Sequence, residues 1–212
     1  MISEEQAAQI TTAVVKNEDV TLCHVPTYVY EKDGKWYENI VSEIANRMIV
    51  NGKSETSFDG DTSITRAEFT AILVRALGLP ADGECSFTDV NVEDWYYSAV
   101  GTAVEYKLVN GYTDGSFKPN INITRQEAMV MIQRAAEVAE YIGKSGSLSA
   151  FTDSDEVSSW AQSAVEFNVG SGLIMGSNGE LRPKHNISRA ETAAVILRLL
   201  QKAELVAVKS KN

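Results

Sequence analysis

The chain has 212 residues, 44% of them hydrophobic, which is enough to bury a core in one large domain or in several small units. Its 19 basic and 29 acidic residues leave a formal charge of -10, a field that repels phosphates over a Debye length of roughly 8 to 10 Å and excludes nonspecific binding to nucleic acid or anionic lipid. No run approaches the ~18 consecutive apolar residues of a membrane span, so no membrane insertion is expected. The N-terminal segment has neither the basic start nor the apolar run of a secretory signal, so an exported protein would be represented here by a fragment.

Residues 1–24 read as a lead-in, with Ser3 and Gln6 placed to cap a short helix through Val15. From there the chain repeats itself. Sixteen residues after each of Trp36, Trp95 and Trp160 stands a glycine (Gly52, Gly111, Gly176), and 13 or 14 residues further an arginine (Arg66, Arg125, Arg189). The pattern divides the chain into repeats at 25–80, 81–143 and 144–204, with a tail at 205–212.

The segment after each tryptophan predicts a helix, with Ile40, Val41, Ile44 and Met48 spaced for one face in the first copy. A glycine-led loop follows, in which Phe58, Phe117 and Leu181 are placed to plug the helix pair. Each loop ends in an Ile-[Ser/Thr]-Arg-x-Glu phrase: Ile64 to Glu68, Ile123 to Glu127 and Ile187 to Glu191. The hydroxyl residue and the Glu three positions later form the pattern of a capping box, so a second helix is expected to begin there in every repeat. Two short helices bury too little surface alone, so the copies are expected to share one all-α core.

Phe87-Thr88-Asp89, Trp95, the stretch from Val109 to Asn120 and Ile123-Thr124-Arg125-Gln126-Glu127 resemble the surface-layer homology repeat, and the third copy is similar throughout. The first copy matches from Trp36 onward and lacks an acid at the Asp89 and Asp153 position. The resemblance implies a pseudo-threefold bundle of helix-loop-helix repeats, without catalysis or cofactor. Such a bundle would anchor an exported surface protein or enzyme to an acidic, pyruvylated secondary polysaccharide in the cell wall or S-layer of a Gram-positive-type bacterium. It further implies a ligand set of Arg66, Arg125 and Arg189 facing a carboxylate, with Trp36, Trp95, Trp160, Asp89, Asp153 and the loops led by Gly52, Gly111 and Gly176 lining grooves between repeats.

The residues themselves support part of this. An arginine in a helix's first turn opposes the macrodipole by ~0.3 to 1 kcal/mol, and three such arginines call for a compensating negative group. A bound carboxylate meeting the guanidinium and the free amides of the helix start is one answer; an arginine locked to Asp89 or Asp153, with the tryptophans as core filling, is another.

Other readings rest on thinner signals. The segment from Ser57 to Glu68 falls on the ligand positions of a calcium loop but has Thr62 where glycine is needed, so no metal site is expected. His24 and His185 have no nucleophile at a recognisable spacing, and Cys23 and Cys85 read as free thiols. Association with protein would require an exposed apolar patch, for which Tyr96, Tyr97 and Tyr106 are the candidates.

Overall fold

Six α-helices appear among the described residues, three of them starting at the capping phrases. The computed structural model describes residues 34–207, so the lead-in, Cys23, His24 and the opening of the first repeat lie outside the described residues. The helices are α1 (Glu38–Ala45), α2 (Arg66–Ala76), α3 (Tyr97–Glu105), α4 (Arg125–Val138), α5 (Gln162–Gly170) and α6 (Arg189–Lys202). Two single 3-10 turns, Ser154–Glu156 and Ser159–Ala161, lead into α5.

All three capping boxes form: Thr65, Thr124 and Ser188 accept the N–H of Glu68, Glu127 and Glu191, whose side chains take the N-cap N–H in return. Such a cap typically contributes about 1 kcal/mol. The helices that follow the tryptophans have no side-chain cap. They are also shorter than expected, because α1 stops at Ala45 and Met48 lies in a left-handed turn with φ 56°, leaving its predicted core place to Ile49.

That turn recurs at all six helix ends. Met48, Gly78, Lys107, Glu140, Gly172 and Glu204 have positive φ, and the next amide reaches back to a carbonyl five residues earlier, as in Leu108 N–H to Ala103 O at 2.8 Å. A non-glycine residue in this conformation is strained by ~1 kcal/mol or more. Lys107→Gly is therefore expected to raise the melting temperature by about 2 to 4 °C, read by circular dichroism; no rise would mean that the lysine stabilises the turn by other means.

The helices assemble out of register with the repeats. α3 packs on α2, α5 on α4, and α1 on α6, so each repeat's first helix lies against the second helix of the repeat before it, and the last pairing closes a circle. At its centre the isoleucines of the capping phrases bond cyclically: Ile64 N–H to Ile187 O at 3.3 Å, Ile187 N–H to Ile123 O at 3.1 Å and Ile123 N–H to Ile64 O at 3.1 Å. All three side chains are buried, as are the plugs Phe58, Phe117 and Leu181. These are isolated bridges, with no β-sheet among the described residues.

Before α3 and α5 the chain crosses the helix it is about to enter, and glycines permit the crossing. Gly83 lies on Gly101 of α3, where an added Cβ would stand 2.3 Å from the Gly83 carbonyl oxygen. Gly146 lies in the same way on Gly170 of α5.

Candidate functional site

The three capping-phrase arginines leave their own repeats and bind the next one round the circle. Arg66 Nη2 donates to Asn110 O at 2.9 Å, with Nη1 3.8 Å from Glu127. Arg125 donates through Nε to Leu181 O at 2.7 Å and through Nη1 to Glu191 at 2.5 Å. Arg189 donates through Nε to Phe58 O at 3.0 Å and through Nη2 to Asn51 O at 2.5 Å, with Nη1 3.5 Å from Glu68. All three are buried, with 9, 6 and 5% of their surface exposed.

The negative group that the macrodipole argument calls for is thus inside the protein, on the capping glutamate of the neighbouring repeat. The amides expected to be free are also taken. Arg66, Arg125 and Arg189 donate their backbone N–H to Ile121, His185 and Thr62, and the following residues donate theirs to Pro119, Pro183 and Gly60.

Asp89 and Asp153 bind backbone rather than arginine. Asp89 accepts the amides of Phe117 and Lys118 at 2.7 and 2.8 Å, and Asp153 those of Leu181 and Arg182 at 2.9 and 2.6 Å. Burial pushes the Asp153 carboxyl up, but these two amides outweigh it and hold the group below its ordinary value. Gly111 and Gly176 make room for the phenylalanine of the same segment, since a Cβ would meet the rings of Phe87 and Phe151 at 2.2 and 2.6 Å.

The tryptophans are not core filling: Trp36, Trp95 and Trp160 are 58, 67 and 58% exposed, while the residue after each, Tyr37, Tyr96 or Ala161, turns inward. Two of them wall clefts between repeats. The first-repeat cleft, about 190 Å³, has Gly52 and Lys53 on one side, Glu68 and Arg75 of α2 on its floor, Arg189 from the third repeat and Trp95 from the second. The third-repeat cleft, about 310 Å³, is built alike from Gly176, Ser177, Glu191 and Arg198, with Arg125 from the second repeat and Trp36 from the first. The repeat register places Gly111, Tyr112, Glu127, Arg134, Arg66 and Trp160 at the matching positions of a middle cleft.

Sequence reasoning missed Arg75, Arg134 and Arg198. Each stands nine residues after a capping-phrase arginine (75-66, 134-125, 198-189), a recurrence visible in the alignment of the repeats. Burial lowers the pKa of Arg134 and Arg198, which marks them as desolvated cations.

Burial alone would raise Glu68 and Glu127, yet both lie below the ordinary value of 4.5 because bonded partners outweigh it. For Glu68 these are Lys53 and Thr65; for Glu127 they are Thr124, Tyr112 and Arg66. A depressed carboxyl contributes its full stability above its unfolded pKa and loses it as pH falls through the folded one. The urea midpoint is therefore expected to drop as pH is lowered below 4.5, and Glu127→Gln to flatten that drop.

The other readings meet particular residues. Tyr96 and Tyr106 are buried and Tyr97 is half-buried, so these tyrosines do not form the exposed apolar patch that association with protein would require. Glu68, the last position of the calcium-like segment, is bound to its cap and to Lys53. Among the described residues no group of three His, Cys, Asp or Glu is placed to hold a metal ion. Cys85 is a half-buried free thiol whose pKa is raised by burial. No helix among the described residues is long and apolar enough to cross a membrane.

A closed circle of three helix-loop-helix units, with clefts walled by arginine and tryptophan at two of its joints, defines a repeat-built all-α module. The S-layer homology domain profile matches the chain three times, at 29–70, 86–129 and 150–193, and the chain belongs to that family. It is 34% identical over 174 residues to an amylopullulanase of Thermoanaerobacterium thermosulfurigenes, covering 79% of the chain and 9% of that protein. To a surface-layer 125 kDa protein of Lysinibacillus sphaericus it is 31% identical over 203 residues, 93% of the chain and 17% of that protein. To a cellulosome-anchoring protein of Acetivibrio thermocellus it is 32% identical over 159 residues, 70% and 34%. The chain spans about a third or less of the length of these relatives.

Proposed function

We propose that this circle of repeats is a non-catalytic module that anchors a longer surface protein to the bacterial cell wall by holding an acidic polysaccharide in its clefts. The observation that carries this reading is the shared make-up of the two clefts: guanidiniums from two repeats facing a broad, exposed indole from the remaining one. A planar aromatic face receives the apolar side of a sugar ring, and desolvated arginines favour a carboxylate over a neutral hydroxyl. The third-repeat cleft sets Arg125, Arg182 and Arg198 against the single acid Glu191, so a locally positive site survives in an acidic chain. That the relatives include surface-layer and anchoring proteins as well as an amylopullulanase accords with a module carried by different cargoes. The pyruvylated amino sugar implied by the family resemblance is the ligand proposed for these clefts.

The capping-phrase arginines hold the circle together and stand at the backs of the clefts, so replacing them tests stability and binding at once. The exposed tryptophans separate the two. The wild-type chain is expected to co-sediment with Gram-positive cell walls and to stay in solution once the secondary polysaccharide has been stripped. A Trp36→Ala, Trp95→Ala double variant with an unchanged melting temperature is expected to lose at least about ninety per cent of the binding, since both indoles lie outside the core. Equal binding to stripped walls would refute the glycan reading and leave a module that recognises protein.

A further inference from the structure

Two of the positions at which the three clefts differ place a charged or bridging side chain in them. The first is the residue after the cleft glycine. Lys53 donates to Glu68 Oε1 at 2.6 Å, and Tyr112 Oη donates to Glu127 Oε1 at 2.8 Å with its ring centre 5.2 Å from the Arg66 guanidinium. In the third repeat this residue is Ser177, too short to reach across, and Arg125 meets Glu191 directly instead. The second position is the left-handed residue after the plug: Asp59, Lys118 and Arg182, with φ 52, 58 and 52°. Asp59 is an acid held by Ser57 at 2.6 Å, while the Lys118 ammonium lies 4.1 Å from the Tyr112 ring centre and 4.0 Å from Asp114. Arg182 lines the third-repeat cleft, and its buried Nε has no acceptor among the described residues.

We propose that the clefts are unequal: the third-repeat cleft is the primary site for a saccharide carboxylate, Ser177 and Arg182 set that preference, and Tyr112 closes the middle cleft. This rests on the glycan reading of the clefts. The third-repeat cleft sets Arg182 beside Arg125 and Arg198 with Glu191 as the one acid among its lining residues, and a carboxylate pairs with such a guanidinium through charge-assisted N–H bonds. Beside it Trp36 and Met175 offer an apolar wall, both largely exposed at the cleft. In the middle repeat the corresponding cations are covered by aromatic rings: Arg66, whose buried Nε also has no acceptor among the described residues, lies against the Phe117 and Tyr112 rings, and Lys118 lies over Tyr112, whose hydroxyl binds the cleft's own glutamate. The first-repeat cleft is intermediate, smaller than the third and crossed by Lys53, with Asp59 where the third repeat has Arg182.

Each tryptophan serves as a reporter for one cleft: Trp36 for the third, Trp95 for the first and, by register, Trp160 for the middle. Three single-tryptophan variants, with the other two changed to Phe, would be titrated with the methyl glycoside of a pyruvate-ketal amino sugar and followed by fluorescence. Trp36 is expected to half-saturate at a probe concentration at least tenfold below Trp95, with Trp160 silent. Ser177→Tyr should abolish the Trp36 response, Arg182→Asp should weaken it at least tenfold, and Tyr112→Ser should give Trp160 a response it lacked. Three reporters titrating together, Trp95 leading, or a Trp36 titration indifferent to Ser177→Tyr and Arg182→Asp would overturn the proposal while keeping the clefts as glycan sites. Silence from all three reporters in folded variants would overturn both.

Discussion

Arg125→Ala is expected to destabilise the fold by about 3 kcal/mol, the low end of the cost of removing one member of a buried ion pair. Arg125 is 6% exposed, and the substitution strands the Leu181 carbonyl and the Glu191 carboxylate, which lose bonds of 2.7 and 2.5 Å. Glu191 is a third exposed, so water recovers part of its loss and the upper end of the range does not apply. Urea denaturation followed by circular dichroism would show the midpoint fall with an unchanged slope. The slope is informative because the arginine joins the second repeat to the third, and cooperative melting requires those joints. A loss under about 1 kcal/mol would mean that the side chain is held loosely and is available to a ligand, as the repeat pattern alone suggests.

Gly101→Ala in the middle of α3 is the second large effect. By propensity alone alanine should favour the helix by about 1 kcal/mol. The added Cβ, however, would stand 2.3 Å from the oxygen and 2.4 Å from the carbonyl carbon of Gly83, and these are backbone atoms that no rotamer change can move. Either the linker lifts off α3, losing the Gly83 N–H bond to Thr102 Oγ1, or the helix shifts on α2. A net loss of about 2 to 3 kcal/mol is expected, typical of overpacking at a rigid contact. A stabilised variant would show that the crossing is loose enough for helix propensity to decide.

Much of this architecture can be read from residue types at fixed spacing. Capping boxes at Thr65, Thr124 and Ser188 are local, with donor and acceptor three residues apart, so periodicity locates every second helix. The plugs Phe58, Phe117 and Leu181 are legible for the same reason: an apolar residue in a polar loop has one place to go. The features that escape depend on partners distant in sequence. Arg189 is bound to carbonyls at Phe58 and Asn51, and backbone oxygens carry no mark in a sequence. An arginine at a helix start does need a negative group, but the pattern commits Glu68, Glu127 and Glu191 to their own caps; each carboxylate has two oxygens and serves both. Aromatic residues mislead in the opposite direction. Adjacent Trp95 and Tyr96 both suit a core, and only the packing of α3 on α2 decides that the tyrosine goes in and the indole stays out.

The clasp of α1 on α6 joins the two ends of the described chain. Any pull that reaches the circle through the chain before Gly34 or after Ala207 bears first on this seam, the longest-range joint in the fold. The third-repeat cleft straddles the same seam, with Trp36 at the head of α1 facing Arg198 of α6. A sugar lodged there would act as a rivet across the joint where tension arrives, so that the anchored molecule would resist being peeled open by its load better than the empty one.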